Sequence, residues 1–288
     1  MISFNDTPIE KHIVEKKVVY VKREDLCANK PMPPLSKLRG IYEHLKKYKK
    51  GTIIGVCDTR VSKSGAGVAC ICKELDLKCY HYFPLKKDEE TLNENRRMSK
   101  ESGAVLKPLQ ASALRFVYMR AKKDVESKGG VMLPHGLPFY ETVKETVRVL
   151  ENIDKKYLTG TIILTTGTGT IMSGIICGLL KRDILPRRII GISAGMSIKK
   201  QRILIDRHTD RFYVENHSLF FMNLMRNSSR GELLKKLELY HSERDYYDGI
   251  DFEIPFPAHP NYEGKTWEWL LENINEIEEP ILFWNIGS

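Results

Sequence analysis

From residue 37 onward, short apolar runs alternate with segments whose apolar residues recur at helical spacing. The run 52–57, bounded by Gly51 and Asp58, is typical of a buried strand. Predicted strands cover 52–57, 78–83, 104–109, 131–133, 161–164, 188–193 and 280–284, and predicted helices cover 37–47, 65–75, 93–102, 114–127, 140–152 and 172–180. This alternation, with two strand series separated near 136–150, predicts two three-layer α/β domains with mainly parallel sheets.

Length and composition agree with a two-domain globular protein. The chain has 288 residues, 42% of them hydrophobic and 29% charged, which is enough apolar material for a sizeable core. No apolar run reaches the ~18–20 residues that cross a bilayer, and the first residues do not resemble a secretory signal. The six cysteines lie mostly inside apolar segments, and Cys70 and Cys72 lack a second pair. We therefore expect a cytoplasmic protein with reduced cysteines and no metal site.

The net charge of +9 favours anionic partners, such as phosphates, carboxylates or nucleic acid. The lysines are spread out, with small clusters at 46–50 and 199–202, and Arg226 and Arg230 flank a polar segment. A solvated basic surface and a site for a polyanion both fit this pattern, and charge alone does not decide between them.

The strongest local signal is the segment 164–174, in which a strand runs into a turn rich in glycine and threonine and then into a helix. Glycines allow a tight turn that exposes consecutive N–H groups, and the helix N-terminus adds partial positive charge. The segment lacks the Gly-Lys-Ser/Thr of a P-loop and departs from the dinucleotide fingerprint. A phosphate site is favoured, although a plain strand-to-helix turn explains the same residues.

Together with this turn, several other segments resemble one known family, the pyridoxal-phosphate (PLP) enzymes of the tryptophan synthase β fold (fold type II). The resemblance is to the branch of 1-aminocyclopropane-1-carboxylate (ACC) deaminase and D-cysteine desulfhydrase in particular. The similar segments follow one another in the family's order, at 7–10, 21–26, 36–39, 95–105, 167–174, 262–265 and 282–288. Their common order over nearly the whole chain is hard to obtain by chance.

The resemblance implies a PLP-dependent lyase or deaminase that acts on an amino acid through an aldimine and a ring-stabilised carbanion. In Ser-Lys-Leu-Arg, Lys37 matches the lysine that forms the aldimine with the cofactor. Glu263 matches the carboxylate at the pyridine nitrogen, and Tyr262 matches the acid/base tyrosine at the substrate face. The phosphate-binding residues implied are Thr166, Gly167, Thr168, Gly169 and Thr170.

The sequence departs from the family at several positions. Ser62 and Lys63 stand where the family has a serine–asparagine pair, so a lysine replaces the asparagine near the cofactor's phenolic oxygen. Ser62 is the further catalytic residue expected here, and Lys63 is expected to bind the cofactor, a substrate anion or only solvent. Gly40 and Ile286 replace a lysine and a threonine. These departures put the deaminase substrate in doubt.

The family's architecture implies a large cofactor-binding domain of 1–49 and 139–288, a small domain of 50–138, the cofactor in the cleft between them, and a homodimer. A small amino acid is the first substrate class expected. An amino-acid moiety attached to a nucleic-acid base or another large anion is the alternative that the charge and Lys63 favour. A non-catalytic binding module that keeps the fold is a further alternative.

Overall fold

The computed structural model describes residues 2–87, 92–216 and 229–288. Its strands are β1 Ile9–Val14, β2 Lys17–Arg23, β3 Ile53–Cys57, β4 Lys78–Leu85, β5 Val105–Gln110, β6 Val131–Met132, β7 Thr161–Thr166, β8 Arg188–Ser193, β9 Leu237–His241 and β10 Ile281–Asn285. Its α-helices are α1 Leu38–Leu45, α2 Ser64–Glu74, α3 Glu94–Glu101, α4 Leu114–Glu126, α5 Tyr140–Glu151, α6 Thr170–Lys181, α7 Ile198–Asn216, α8 Ser229–Lys235 and α9 Glu263–Asn273. The alternation predicted from the sequence is present, and the α/β class is confirmed.

The chain divides into two units by its internal contacts. The first unit comprises Met1–Asn5 and Ala28–Phe139, and the second comprises Asp6–Cys27 and Tyr140–Ser288. Residues 1–5, 28–49 and 139 were expected in the large domain, whereas the structure groups them with the smaller unit. The reason is packing: Gly67 of α2 lies directly against Leu35, Leu38 and Ile41, so α1 is seated on α2 of the smaller unit.

The second unit is built on a six-stranded sheet in the order β1-β2-β10-β7-β8-β9. Only β1 and β2 pair antiparallel, and the other neighbours are parallel. Parallel strands end at one edge of a sheet, and ligands of such sheets bind outside the carboxyl ends of the strands. The ends of β2, β10, β7 and β8 therefore lie along one edge of this sheet.

Alternating side chains cover both faces of this sheet. On one face, Ile162 and Leu164 of β7 join a core cluster with Ile175 and Leu179 of α6. On the other face, Ile163 joins a cluster with Trp267 and Leu270 of α9. Successive strand residues point to opposite faces, so the side chains of β7 pack against α6 on one face and against α9 on the other. The result is the three-layer arrangement predicted from the sequence.

The first unit contains a four-stranded parallel sheet in the order β5-β4-β3-β6. Val117, Ala121 and Val125 of α4 pack on one face with Cys57 and Tyr82. Helix α2 packs against β3 and β4, and α1 and α3 pack against α2. The carboxyl end of β3 leads into the turn 58–63, which ends where α2 begins.

Two further observations bear on the sequence predictions. All six cysteines are free and buried, which fits their expected role as core residues. None of the helices within 2–87, 92–216 and 229–288 combines the length and the apolar character needed to cross a bilayer.

Candidate active site

Lys37 lies immediately before α1, at the N-cap position of that helix. Its amine donates a hydrogen bond to the carbonyl oxygen of Gly136 at 2.9 Å. Burial of the amine lowers the pKa of Lys37 from 10.5 to about 8, since desolvation disfavours the charged form. An amine with this pKa has an appreciable neutral, nucleophilic fraction near physiological pH, which an exposed lysine does not.

The neighbouring Ser36 carries an unusual hydroxyl. Ser36 is 6% exposed, and its Oγ has no hydrogen-bond partner among the described residues. A buried hydroxyl without a partner is costly unless a ligand completes it. Two residues adjacent in sequence therefore carry an amine with a lowered pKa and a buried hydroxyl without a hydrogen-bond partner among the described residues.

The turn between β7 and α6 has the geometry of an anion cradle. Gly169 has φ 74°, a left-handed conformation that favours glycine, and its carbonyl accepts the N–H of Ser173 in the first helical turn at 2.8 Å. The Thr168 and Thr170 hydroxyls are buried and 2.7 Å apart. A Cβ added to Gly167 would meet no atom within 4 Å. The turn therefore combines open space, buried hydroxyls and a helix N-terminus, as phosphate binding requires.

The strand before this turn is fixed on both faces by two adjacent threonines. The Thr165 hydroxyl lies 2.6 Å from that of Thr266 on α9. The Thr166 hydroxyl donates to Oε1 of Gln201 on α7 at 2.9 Å, and Gln201 Nε2 donates to the Thr166 carbonyl at 3.2 Å and to Ser193 Oγ at 2.7 Å. Gln201 is fully buried. The sequence did not indicate this residue, because Gln201 lies between Lys200 and Arg202 in a charged segment that resembles an exposed surface.

Tyr262 and Glu263 stand at the start of α9 in the second unit. Glu263 is 1% exposed and is the first residue of the helix, where the helix dipole stabilises a carboxylate. Thr266 follows one turn later and contacts Thr165, so the segment 262–266 lies beside the end of β7. The Tyr262 hydroxyl lies 2.6 Å from that of Tyr246, a partner that no sequence pattern had indicated.

Ser62 and Lys63 lie in the first unit, in the turn that leads into α2. Ser62 Oγ accepts the N–H of Ser64 at 3.2 Å, and Lys63 is the half-buried N-cap residue of the helix. The carbonyl of Lys63 accepts the N–H of Gly67 at 2.9 Å, and Gly67 lies against Leu38. The first turns of α1 and α2 are therefore adjacent in this unit.

A buried polar chain holds the turn that carries Ser62 and Lys63. Asp58 Oδ2 accepts the N–H of Gly65 at 2.6 Å. Its Oδ1 lies 2.8 Å from His81 Nε2, and His81 Nδ1 lies 3.0 Å from Ser99 Oγ. Asp58, His81 and Ser99 are each at most 3% exposed. The chain is sealed from solvent, so its role is to position the turn.

The structure thus groups the predicted residues by unit. Lys37 and the pair Ser62–Lys63 belong to the first unit, and the 166–170 turn and the pair Tyr262–Glu263 belong to the second. Of the two arginines that flank the polar segment 226–230, Arg226 lies outside the described residues, and Arg230 is paired with Asp210 at 2.9 Å. Within the described part of the chain, no group of three or more histidine, cysteine or acidic residues is arranged to hold a metal ion.

Comparison with known proteins gives one full-length relative by sequence. No protein family model matches the chain. A protein of Pseudomonas phage M6 described as glycyl-dTMP PLP-dependent decarboxylase is 29% identical to it over 298 residues, covering 99% of both chains.

Solved structures give the fold. A crystal structure of an ACC deaminase homologue matches 98% of this chain and 89% of its own, with TM-score 0.74 and 21% identity. O-ureido-L-serine synthase matches 99% of this chain and 90% of its own, with TM-score 0.65 and 16% identity. Threonine deaminase isoform 2 from Solanum lycopersicum matches 99% of this chain and 84% of its own, with TM-score 0.62 and 15% identity.

These similarities define the fold of the protein. The chain has the tryptophan synthase β-like fold, as the sequence predicted.

The buried polar chain of the first unit leads to a stability prediction. Replacing His81 by leucine removes the hydrogen bond to the buried Asp58 carboxylate, and we expect the free energy of unfolding to fall by about 2–3 kcal/mol. Denaturant unfolding measures this change. His135→Ala is the matched control. That exposed histidine makes a longer contact of 3.3 Å with the carbonyl of Cys57, the residue before Asp58. Equal, small effects of both changes would contradict the assigned role of His81.

Proposed function

We propose that this chain is a PLP-dependent decarboxylase, a lyase that removes carbon dioxide from an amino-acid moiety attached to a pyrimidine nucleotide. The observation that carries the proposal is the likeness over the whole chain to a glycyl-dTMP PLP-dependent decarboxylase. That likeness bears out the prediction of a PLP-dependent enzyme, and the non-catalytic alternative is set aside. Of the two substrate classes expected from the sequence, it favours the amino acid attached to a base.

The residues present fit the cofactor. PLP needs an amine for its aldehyde, a cradle for its phosphate and a partner for its ring nitrogen. Lys37 has an amine whose pKa is lowered to about 8 by burial, and the preceding residue, Ser36, has a buried hydroxyl without a hydrogen-bond partner among the described residues. The turn 166–170 has open space at Gly167 and a helix N-terminus. Glu263 is a buried carboxylate beside the same strand end.

When bound, PLP supplies an electron-withdrawing ring that accepts the electron pair left on Cα as the bond to the carboxylate breaks. Glu263 would keep a proton on the ring nitrogen, which strengthens this withdrawal. Tyr262, in hydrogen-bond contact with Tyr246, and the Lys37 amine are the groups that would deliver a proton to Cα after carbon dioxide leaves.

Ser62 and Lys63 would serve the substrate or cofactor oxygens. The Asp58–His81–Ser99 chain fixes the turn that carries them. The backbone of Lys63 is therefore held in place. A cation at this place is suited to a carboxylate or phosphate oxygen of the ligand. The homodimer expected from the family stays a prediction.

The proposal is tested by incubating the holoenzyme with glycyl-dTMP and, separately, with free glycine, and measuring carbon dioxide release. We expect release from the nucleotide-linked substrate alone. Lys37→Ala should abolish both turnover and the visible absorption of bound cofactor, whereas Glu263→Gln should keep the cofactor and lose most turnover. Equal release from free glycine would overturn the assigned substrate class, and a wild-type protein that takes up no cofactor would overturn the reaction.

The pKa of Lys37 predicts how cofactor uptake depends on pH. Only the neutral amine attacks the aldehyde, and its fraction rises as pH increases through the pKa. Uptake of PLP by the apoprotein should therefore accelerate with a midpoint near pH 8, where the pKa of Lys37 lies, rather than near 10.5. Rapid-mixing absorbance measures the rate. A midpoint near 10.5 would show that the amine is not desolvated.

Gly167 offers a test of the cradle that does not depend on turnover. A side chain at Gly167 meets open space, so Gly167→Val should change the free energy of unfolding of the apoprotein by no more than ~0.5 kcal/mol. It should weaken PLP binding at least tenfold, because its methyl groups occupy the phosphate's place. Gly169→Ala is the contrast: with φ 74° and Ile205 only 2.7 Å from the new Cβ, it should destabilise the apoprotein itself. Undiminished PLP affinity in Gly167→Val would exclude this turn.

A further inference from the structure

Four aromatic side chains form a cluster in the second unit, which we call the tyrosine cluster: Tyr246, Tyr247, His259 and Tyr262. The Tyr246 ring forms T-shaped pairs with that of Tyr247, at a centroid distance of 5.0 Å, and with that of Tyr262, at 6.0 Å; the His259 ring lies 4.7 Å from that of Tyr262. The hydroxyl of Tyr246 contacts that of Tyr262, the residue that precedes Glu263. The cluster is therefore continuous with the candidate active site of this unit.

Tyr247 is the outer member of the tyrosine cluster and is 47% exposed. An exposed aromatic ring that packs against another aromatic residue offers a rigid apolar surface to a planar ligand. Nucleobases bind proteins by stacking on such rings, and stacking needs no particular base-edge contacts. Tyr247 thus has the chemistry expected of a platform for a base.

The segment that carries Tyr246 and Tyr247 is fixed at several points. Arg244 forms a salt bridge of 2.6 Å with Glu268 on α9 and donates to the Gly249 carbonyl at 3.1 Å. Lys265, also on α9, donates to the carbonyl of Asp245 at 2.5 Å, and Asn261 donates to the carbonyl of Tyr247 at 2.8 Å. A platform held in this way loses little conformational entropy when a ligand binds.

The tyrosine cluster also borders the start of α7. A Cβ on Gly195 would lie 2.6 Å from the Tyr246 ring, so this ring packs directly on the backbone that follows β8. Lys199 and Lys200, exposed on the first turn of α7, follow four and five residues later. Gln201, the next residue, is hydrogen-bonded to Thr166 at the phosphate cradle.

The exposed charges near the cluster belong to two segments of the chain. The exposed Glu243, Asp245 and Asp248 belong to the tyrosine segment, whereas Lys199 and Lys200 belong to α7. A neutral base is compatible with the acidic segment, and an anionic phosphate is favoured near the basic one. The same division disfavours a polyanion lying across the tyrosine segment.

The geometry points to a nucleotide-recognition surface in which Tyr247, supported by Tyr246, stacks on the pyrimidine base of the substrate and Lys199 and Lys200 attract its phosphate. This inference rests on the proposed function and goes beyond it, because it assigns residues to the part of the substrate that does not react.

The test measures binding of dTMP, which has no amino acid and does not react, to the PLP-loaded enzyme by calorimetry. Tyr247→Ala should weaken dTMP binding about fivefold or more, while Tyr247→Phe, which keeps the ring, should bind as the wild type does. Tyr240→Ala is the matched control, since Tyr240 is 36% exposed but stacks on Trp269 at 5.1 Å and lies on β9. The visible absorption of the cofactor should be the same in all three variants.

The lysines are tested separately. Lys199→Ala/Lys200→Ala should weaken dTMP binding and reduce its dependence on salt, whereas Lys49→Ala/Lys50→Ala in the first unit should change neither. An oligodeoxythymidylate replaces dTMP in a parallel titration: tighter binding with a steep salt dependence would identify a DNA strand as the source of the nucleotide, and weaker binding would identify the free nucleotide.

The outcomes separate this inference from the proposed function. If Tyr247→Ala binds dTMP as tightly as the wild type while glycyl-dTMP is still decarboxylated, the surface is wrong and the function stands. If the wild type decarboxylates glycyl-dTMP but binds no dTMP at millimolar concentration, the surface is likewise overturned. If the wild type neither binds dTMP nor decarboxylates glycyl-dTMP, both proposals fall.

Discussion

The candidate site of the second unit depends on two adjacent threonines at the end of β7. Because neighbouring strand residues face opposite sides of a sheet, Thr165 reaches Thr266 on α9 while Thr166 reaches Gln201 on α7. One contact fixes the helix that begins with Glu263, and the other fixes the helix whose first turn carries Lys199 and Lys200. The positions of the carboxylate, the candidate phosphate cradle and the basic turn thus all depend on the end of β7.

Much of this fold was accessible from the sequence, because its buried strands are short apolar runs and its helices have clear periodicity. The strand β7 and the turn that follows were predicted at nearly their observed bounds. The strand β1 was not: its burial alternates weakly along Ile9–Val14, and Glu10, Lys11 and His12 give it a polar character. Helix α7 was missed because charged residues dominate 199–211 and hide the few buried positions. Strand β9 was also missed, because only Leu237 and Leu239 of its five residues are buried.

The residues of the site divide in the same way. Lys37, Glu263 and the 166–170 turn could be proposed from the sequence because they lie in short segments with a recognisable order of residue types. Gln201, Tyr246 and the Asp58–His81 pair were not, since each acts through a partner distant in sequence. His81 and Asp58 are 23 residues apart and meet only because β3 and β4 are neighbours in the sheet. Such pairings follow from strand order, which a single sequence does not specify.

The polar groups that form the cradle have a consequence for its behaviour. Thr166, Thr168, Thr170 and Gln201 carry hydroxyls and an amide, none of which titrates between acid and mildly alkaline conditions. In the proposed cofactor site, the attraction of this turn for a phosphate would come from oriented dipoles of constant strength rather than from a charge that switches. Acidification would protonate the amine proposed as the nucleophile and leave these dipoles unchanged, so the two proposed functions of the site would respond differently to pH.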